Sequence, residues 1–291
     1  MQPLRIKSGL NVEKDVILFN IEQNLGSAPW LNRKLDEGTA CLVGGGPSLS
    51  QYLPKIREMK EAGAKIVAFN NCHDFLISHG ICPDYAVILD ARKENAEFYK
   101  RPLPWVTYLV ASQCHPDVLR ALSGMNVLLW HSGTGEESKE ITRAYAASHD
   151  ITSHIEINGG CTVGLRGMFL SYAVGFTDLH LFGYDSSFKE YHHAYEQKLN
   201  DNCEAIEVRV GEDTFQTTAT MAKQAYQFQS TVMSLTRAEV DITVHGSGLL
   251  PTVHLEMHKP VDQNDLAAVE QRKYCNMWAM DEYRAVAPGE H

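Results

Sequence analysis

Short apolar runs alternate with amphipathic runs along most of this sequence, and the apolar runs end on glycine, asparagine or aspartate. Residues 39–43, 65–69, 85–89, 105–110, 126–130, 179–182 and 241–244 are strand-like, and 151–157 is a further strand candidate. Between them, 48–62, a short run ending at 79, 116–122, 136–148, 161–174 and 219–236 have helical spacing. In 48–62, Leu49, Leu53, Ile56 and Met59 fall on one face. Strands separated by helices imply parallel βαβ units, and so an α/β, Rossmann-like, doubly wound and mostly parallel sheet with helices on both faces. Ligands of such sheets sit beyond the carboxyl ends of the strands. The conspicuous polar residues fall at those ends: Gly44 to Ser48, Asn70, Asn71, Asp90, Asn158 and Asp185.

The same reading divides the chain into a helical lead-in at 1–38, a Rossmann-like nucleotide-binding domain at 39–255 and a C-terminal tail at 256–291. Residues 186–216 are polar and aperiodic. That length suits either a lid or an insertion with its own structure. The aromatic residues of the tail suit a terminal helix packed on the body or on another subunit, so homo-oligomerisation stays open.

A net charge of -10 argues against a nucleic-acid backbone or an anionic membrane as the main partner. It does not argue against a nucleotide, because backbone N–H groups and a helix end supply local positive potential. The seven cysteines form no CxxC pair, which favours reduced core thiols over zinc or disulfides. The start lacks the apolar run of a signal peptide, and no stretch approaches the roughly 18 apolar residues of a membrane span. A cytoplasmic protein is expected.

Four constellations carry chemistry. In Leu42-Val43-Gly44-Gly45-Gly46-Pro47-Ser48-Leu49, glycines let the backbone turn sharply, and the helix start aims N–H groups at an anion. Phosphate binding at Gly44, Gly45, Gly46 and Ser48 is the expectation; a tight turn without a ligand is the plainer alternative. The run is not a dinucleotide fingerprint, since Leu49 stands where its third glycine would be, and no Gly-Lys-Ser/Thr follows to make a P-loop. In Asn158-Gly159-Gly160-Cys161-Thr162, Gly160 and Thr162 mark either a second anion site or a helix start capped by Thr162. Asp90 and Asp185 each follow a strand and are candidate Mg²⁺ ligands bridging phosphates, or else caps or ribose contacts. Within Tyr191-His192-His193-Ala194-Tyr195, His192 and His193 are candidate general bases, and with Asp185 they complete the catalytic set.

Taken in order, Val43-Gly44-Gly45-Gly46-Pro47-Ser48-Leu49, Phe69-Asn70-Asn71, Pro83-Asp84, Leu89-Asp90, Gly159-Gly160 with Thr162, and Leu181-Phe182-Gly183-Tyr184-Asp185 resemble the MptE-like family. That family includes archaeal 6-hydroxymethylpterin diphosphokinases and bacterial motility accessory factor proteins. The layout is also similar to bacterial sialyltransferases that use CMP-sialic acid. The resemblance spans about residues 39–250. It implies a nucleotide-dependent transferase with a small-molecule or glycan acceptor, diphosphokinase-like as the leading reading, with phosphates at the Gly44 to Ser48 turn, and sialyltransferase-like as the alternative. In the diphosphokinase form the ligands are ATP and Mg²⁺, with Asp90 and Asp185 as metal candidates. In the sialyltransferase form the donor is a CMP-sugar, touched by Gly44, Gly45, Gly46, Ser48 and Asn70, with Thr162 near nucleotide or sugar. A module that binds nucleotide without catalysis is the third alternative.

Overall fold

The structure is a computed structural model and describes residues 12–133, 135–151, 154–188, 194–195 and 204–259. Its strands are β1 (Gly38–Val43), β2 (Lys65–Phe69), β3 (Tyr85–Ile88), β4 (Thr107–Ala111), β5 (Asn126–Ser132), β6 (Glu156–Ile157), β7 (Phe176–Phe182), β8 (Ala205–Val210), β9 (Asp213–Thr218) and β10 (Asp241–His245), and its α-helices are α1 (Lys14–Asn24), α2 (Leu49–Glu61), α3 (Cys72–Ser78), α4 (Pro116–Ala121), α5 (Glu136–Ser148), α6 (Val163–Val174), α7 (Ala219–Arg237) and α8 (Leu249–His258). Eight of these form one sheet in the order β10-β7-β1-β2-β3-β4-β5-β6. Every adjacent pair in it is parallel. The expected α/β, Rossmann-like arrangement is therefore what the chain adopts.

A parallel sheet needs both faces covered, because its crossover connections lie on them. The inner strand β1 shows how the sequence meets that need. Alternate side chains point to opposite faces. Ala40 and Leu42 enter the larger core cluster, with Leu165 and Met168 of the helix α6 (Val163–Val174). Cys41 and Val43 enter the smaller one, with Leu49, Leu53 and Ile56 of α2 (Leu49–Glu61). Burying each of the Leu, Ile, Val and Met side chains among them stabilises the fold by about 1.5–3 kcal/mol.

The lead-in carries α1 (Lys14–Asn24). The Nδ2 of Asn20 donates to the carbonyls of Ala91 and Gln113, and that of Asn24 to the carbonyls of Ser112 and Cys114. These carbonyls lie just past β3 and β4, so α1 closes that end of the sheet.

Several elements differ from the sequence reading, among them a 3₁₀-helix at Lys93–Phe98 that it did not contain. The strand expected at 151–157 shrinks to Glu156–Ile157, because the lead-in takes the place beside β5. Leu31 N–H donates to Leu129 O at 2.7 Å, and Ile155 N–H donates to Leu31 O at 2.8 Å. Within 186–216, an antiparallel hairpin of β8 and β9 appears in the insertion, with Ile206, Val208 and Val210 turned inward. A helix at Leu249–His258 follows β10 and had no counterpart in the periodicity reading. Among the described residues, no helix is long and apolar enough to cross a membrane.

Candidate functional site

The order of the sheet fixes where a ligand would enter. From β1 the chain builds outward through β2, β3, β4, β5 and β6, then returns by α6 to place β7 on the other side of β1. Connections leaving β1 and β7 diverge at this switch point, and ligands of such sheets bind beyond the carboxyl ends of the strands there. The two turns at this point are 44–48 and 183–185.

These turns are joined backbone to backbone. Gly44 N–H donates to Phe182 O at 2.8 Å, and Gly46 N–H donates to Gly183 O at 2.8 Å. Ser48 N–H, at the start of α2, donates to the Oδ2 of buried Asp185 at 2.9 Å. A Cβ on Gly46 would lie 2.6 Å from Gly183 O and in collision with Asp185 Oδ2. Gly183 has φ +66° and would collide with Gly44 O if it carried a side chain. The structure thus corrects the reason for the glycines. The amides of Gly44, Gly46 and Ser48, expected to face an anion, are engaged by the neighbouring turn. Gly44 and Gly46 are small because that turn lies against them. Gly45 faces elsewhere, toward the ring of Tyr195.

A third turn, after β10, packs on the same junction. Leu250 N–H donates to Asp185 O at 3.1 Å, and a Cβ on Gly248 would lie 2.5 Å from that oxygen. A Cβ on Gly246 would lie 2.9 Å from Asp185 Oδ1 and 3.2 Å from Ser48 Oγ. Ser48 Oγ is buried and has no hydrogen-bond partner among the described residues.

Asn70 closes β2 with φ +52°, a left-handed conformation that asparagine tolerates better than most residues. Its Oδ1 is buried and has no partner among the described residues. The start of α6 is brought to the same region. Tyr184 OH donates to Gly164 O at 3.2 Å, and a Cβ on Gly167 would collide with the Phe69 ring. Thr162 caps this helix, its Oγ1 accepting Leu165 N–H at 3.3 Å. Gly160 has φ +75°, and its carbonyl accepts Arg166 Nε at 3.1 Å.

Asp90 and Asp185 are not brought together. They follow β3 and β7, three strand positions apart in the sheet order, or roughly 14 Å at the usual spacing. That is too far for one Mg²⁺ with ligands at about 2.1 Å. Each is also engaged: Asp90 by the guanidinium of Arg92, with Nε 2.9 Å and Nη2 2.5 Å from Oδ2, and Asp185 by Ser48 N–H. The pair therefore does not fit a shared ion. Among the described residues, no group of three or more His, Cys, Asp or Glu side chains is placed to hold a metal.

His192 and His193 lie outside the described residues. Their neighbours do not: Ala194 N–H donates to Gly45 O at 3.1 Å, and Tyr195 OH donates to Asn71 Oδ1 at 2.7 Å. The Sγ of Cys72 is 3.2 Å from the same hydroxyl. Burial pushes the Cys72 thiol up to about 12 and raises the Tyr195 hydroxyl well above its ordinary value, so both groups are neutral near pH 7. Sequence reasoning had placed weight on the histidines and not on Tyr195. It had also missed Gly246 and Gly248, although glycines directly after a final strand were a usable signal.

The fold is a Rossmann-like α/β sheet whose switch point lies between β1 and β7. Residues 16–191 match the family model described as 6-hydroxymethylpterin diphosphokinase MptE-like, and the chain belongs to that family. Among solved structures, it is similar to the MAf glycosyltransferase from Magnetospirillum magneticum AMB-1, with a TM-score of 0.59 and 16% identity. The likeness covers 91% of this chain and 42% of that one, so this chain spans less than half the length of its structural relative. No curated protein sequence matches the chain.

Proposed function

We propose that this protein is a nucleotide-dependent transferase of glycosyltransferase-like type, with its donor beyond the carboxyl ends of β1 and β7. The observation that carries the reading is the junction of turns 44–48 and 183–185 at the switch point, where parallel α/β sheets hold ligands. Gly45 and Ser48 line the turn, Asn70 offers its buried Oδ1 from the end of β2, and Thr162 approaches on α6. The sharing of the fold with a glycosyltransferase over 91% of the chain supports the same direction. In this reading the bond between the sugar and the nucleotide phosphate breaks, the acceptor hydroxyl oxygen bonds to the sugar, and His192 or His193 takes the hydroxyl proton. A CMP-activated acidic sugar is the donor class, and a glycan or small molecule the acceptor.

The family description favours a second reading, a diphosphokinase using ATP and Mg²⁺. The separation of Asp90 from Asp185 makes it the weaker of the two, since the carboxylates named for the metal do not share a site. A thermal-shift panel of ATP, GTP, CTP, CMP and CMP-sugars, with and without Mg²⁺, separates them. A ligand at about 100 times its Kd stabilises the fold by about 2.7 kcal/mol. Metal-independent stabilisation by CMP or a CMP-sugar is expected. Stabilisation by ATP only with Mg²⁺ would transfer the assignment to the diphosphokinase. No stabilisation by any nucleotide would overturn both.

A further inference from the structure

Each of the three consecutive glycines has its own reason to lack a side chain, and the reason at Gly45 differs from the others. Gly44 and Gly46 meet the backbone of the β7 turn. At Gly45 the nearest atoms are those of Tyr195: a Cβ there would collide with the Tyr195 hydroxyl and lie 2.9 Å from its Cζ. The seat of this tyrosine is assembled from separate parts of the chain. Gly45 lies beneath the hydroxyl, and Asn71 Oδ1 accepts its proton at 2.7 Å. Cys72 Sγ lies 3.2 Å away, and the Phe75 ring packs beside it at 5.2 Å between centroids, tilted by 42°. Asn71 caps, and Cys72 and Phe75 belong to, the short helix that follows β2. The seat therefore lies at the carboxyl end of the sheet, beside the switch point, where the proposed function places a ligand.

The chemistry of the seat is that of a site for a flat polar ring. It has one aromatic wall, a glycine floor without a side chain, and an amide at the polar edge. An amide presents an acceptor on one side and two donors on the other, and by turning over it can pair with either kind of ring edge. A nucleobase has the same combination of a π face and a hydrogen-bonding edge, and aromatic walls hold such bases without regard to sequence.

We propose that Tyr195 is an internal stand-in for the nucleobase: in the free protein it fills the seat formed by Gly45, Asn71, Cys72 and Phe75, and the base of the nucleotide takes that seat when Tyr195 leaves. The inference rests on the nucleotide reading above and adds to it the residues that receive the base and the residue that competes with it. Competition of this kind lowers apparent affinity by the fraction of molecules whose seat is empty; a seat filled nine-tenths of the time weakens binding about tenfold.

The test uses the full chain, Tyr195→Ala, and two readouts. One is the rate at which iodoacetamide alkylates Cys72, followed by peptide mass spectrometry; the other is calorimetry with CMP and with ATP. Tyr195→Ala should open Cys72, raising its alkylation rate about tenfold, and should tighten nucleotide binding by a similar factor. Added nucleotide should then slow Cys72 alkylation again. Tyr195→Phe keeps the ring and loses the hydroxyl contacts to Asn71 and Cys72, so it should show a smaller gain in the same direction, and it serves as the test should Tyr195→Ala fail to fold. Unchanged Cys72 reactivity in a folded Tyr195→Ala protein, or weaker nucleotide binding, would overturn the proposal. Nucleotide bound with Cys72 left unprotected would overturn it while leaving the nucleotide reading intact. Cys72 opened with no nucleotide bound by either protein would overturn the nucleotide reading, and the base seat with it.

Discussion

Two glycine-rich turns lead from a strand into a helix in this protein, one at 44–48 after β1 and one at 158–162 after β6, and they use their glycines differently. In the second turn the reasons are mostly local. Gly159 and Gly160 both have φ +75°, Gly160 binds Arg166 six residues on, and Thr162 caps its own helix at Leu165. Its tie to distant sequence is Cys161 N–H to Gln227 Oε1 at 2.8 Å. The first turn is held by distant partners. Gly46 binds Gly183, and Ser48 binds Asp185, 137 residues along the chain. One sequence signature thus has two physical causes. A run of glycines at a helix start marks either a backbone that must turn left-handed or a backbone that another segment must approach closely.

Valine at position 46 tests this contrast most severely. Its Cβ would meet the backbone carbonyl of Gly183 and the carboxylate of Asp185, which is buried and held by Ser48 N–H. Gly46→Val should destabilise the fold by about 2–4 kcal/mol, from overpacking at a fixed backbone contact. Urea unfolding followed by circular dichroism gives the value. A loss below 1 kcal/mol would mean that the two turns are not locked together. Gly160→Ala, strained by its positive φ and by a Cβ 2.8 Å from that of nearby Leu165, should lose about 1–3 kcal/mol, and a larger loss than Gly46→Val would reverse the comparison.

Removal of the carboxylate is the next effect in size. Asp185→Ala leaves the buried Ser48 N–H without its acceptor, and hydrogen bonds to charged groups contribute about 1.5–3 kcal/mol. Asp185→Asn retains an acceptor oxygen and should lose less. The order of these two variants in urea midpoint is the measurement. If Asp185→Asn proved the worse, the negative charge and not the acceptor would be what the junction requires.

The sheet was legible because its signal is local. Lys65–Phe69 and Glu136–Ser148 have the bounds that their apolar periodicity gives. The candidate positions at the strand ends followed from the alternation alone, and Gly44, Asn70 and Asp185 all lie at carboxyl ends of strands. What failed to show was pairing between distant residues. Nothing near Gly44 announces Gly183, nothing near Asp90 distinguishes a metal ligand from the partner of Arg92, and the strand at 151–157 could not reveal that Leu31 takes its place beside β5. The hairpin in the insertion was missed: Ile206 to Val210 alternates, but the polar residues around it made 186–216 read as aperiodic.

The smallest effect separates capping from ligand contact at the second turn. Thr162 Oγ1 accepts Leu165 N–H, so Thr162→Ala should lose about 1 kcal/mol of stability, and Thr162→Ser should lose a few tenths at most. That result alone would fit a purely local turn. The start of α6 also lies against the site, through Tyr184 on Gly164 and Phe69 on Gly167. A threonine that serves only as a cap acts on folding, so nucleotide affinity measured well below the melting temperature should be the same in Thr162→Ala and wild type. A threonine that also touches the ligand should lose affinity in Thr162→Ala and keep it in Thr162→Ser, whose hydroxyl is retained. Calorimetry on the three proteins distinguishes these outcomes, and we expect the second. The local turn would then owe its shape to its own residues and its place in the site to the helix that carries it back across the sheet.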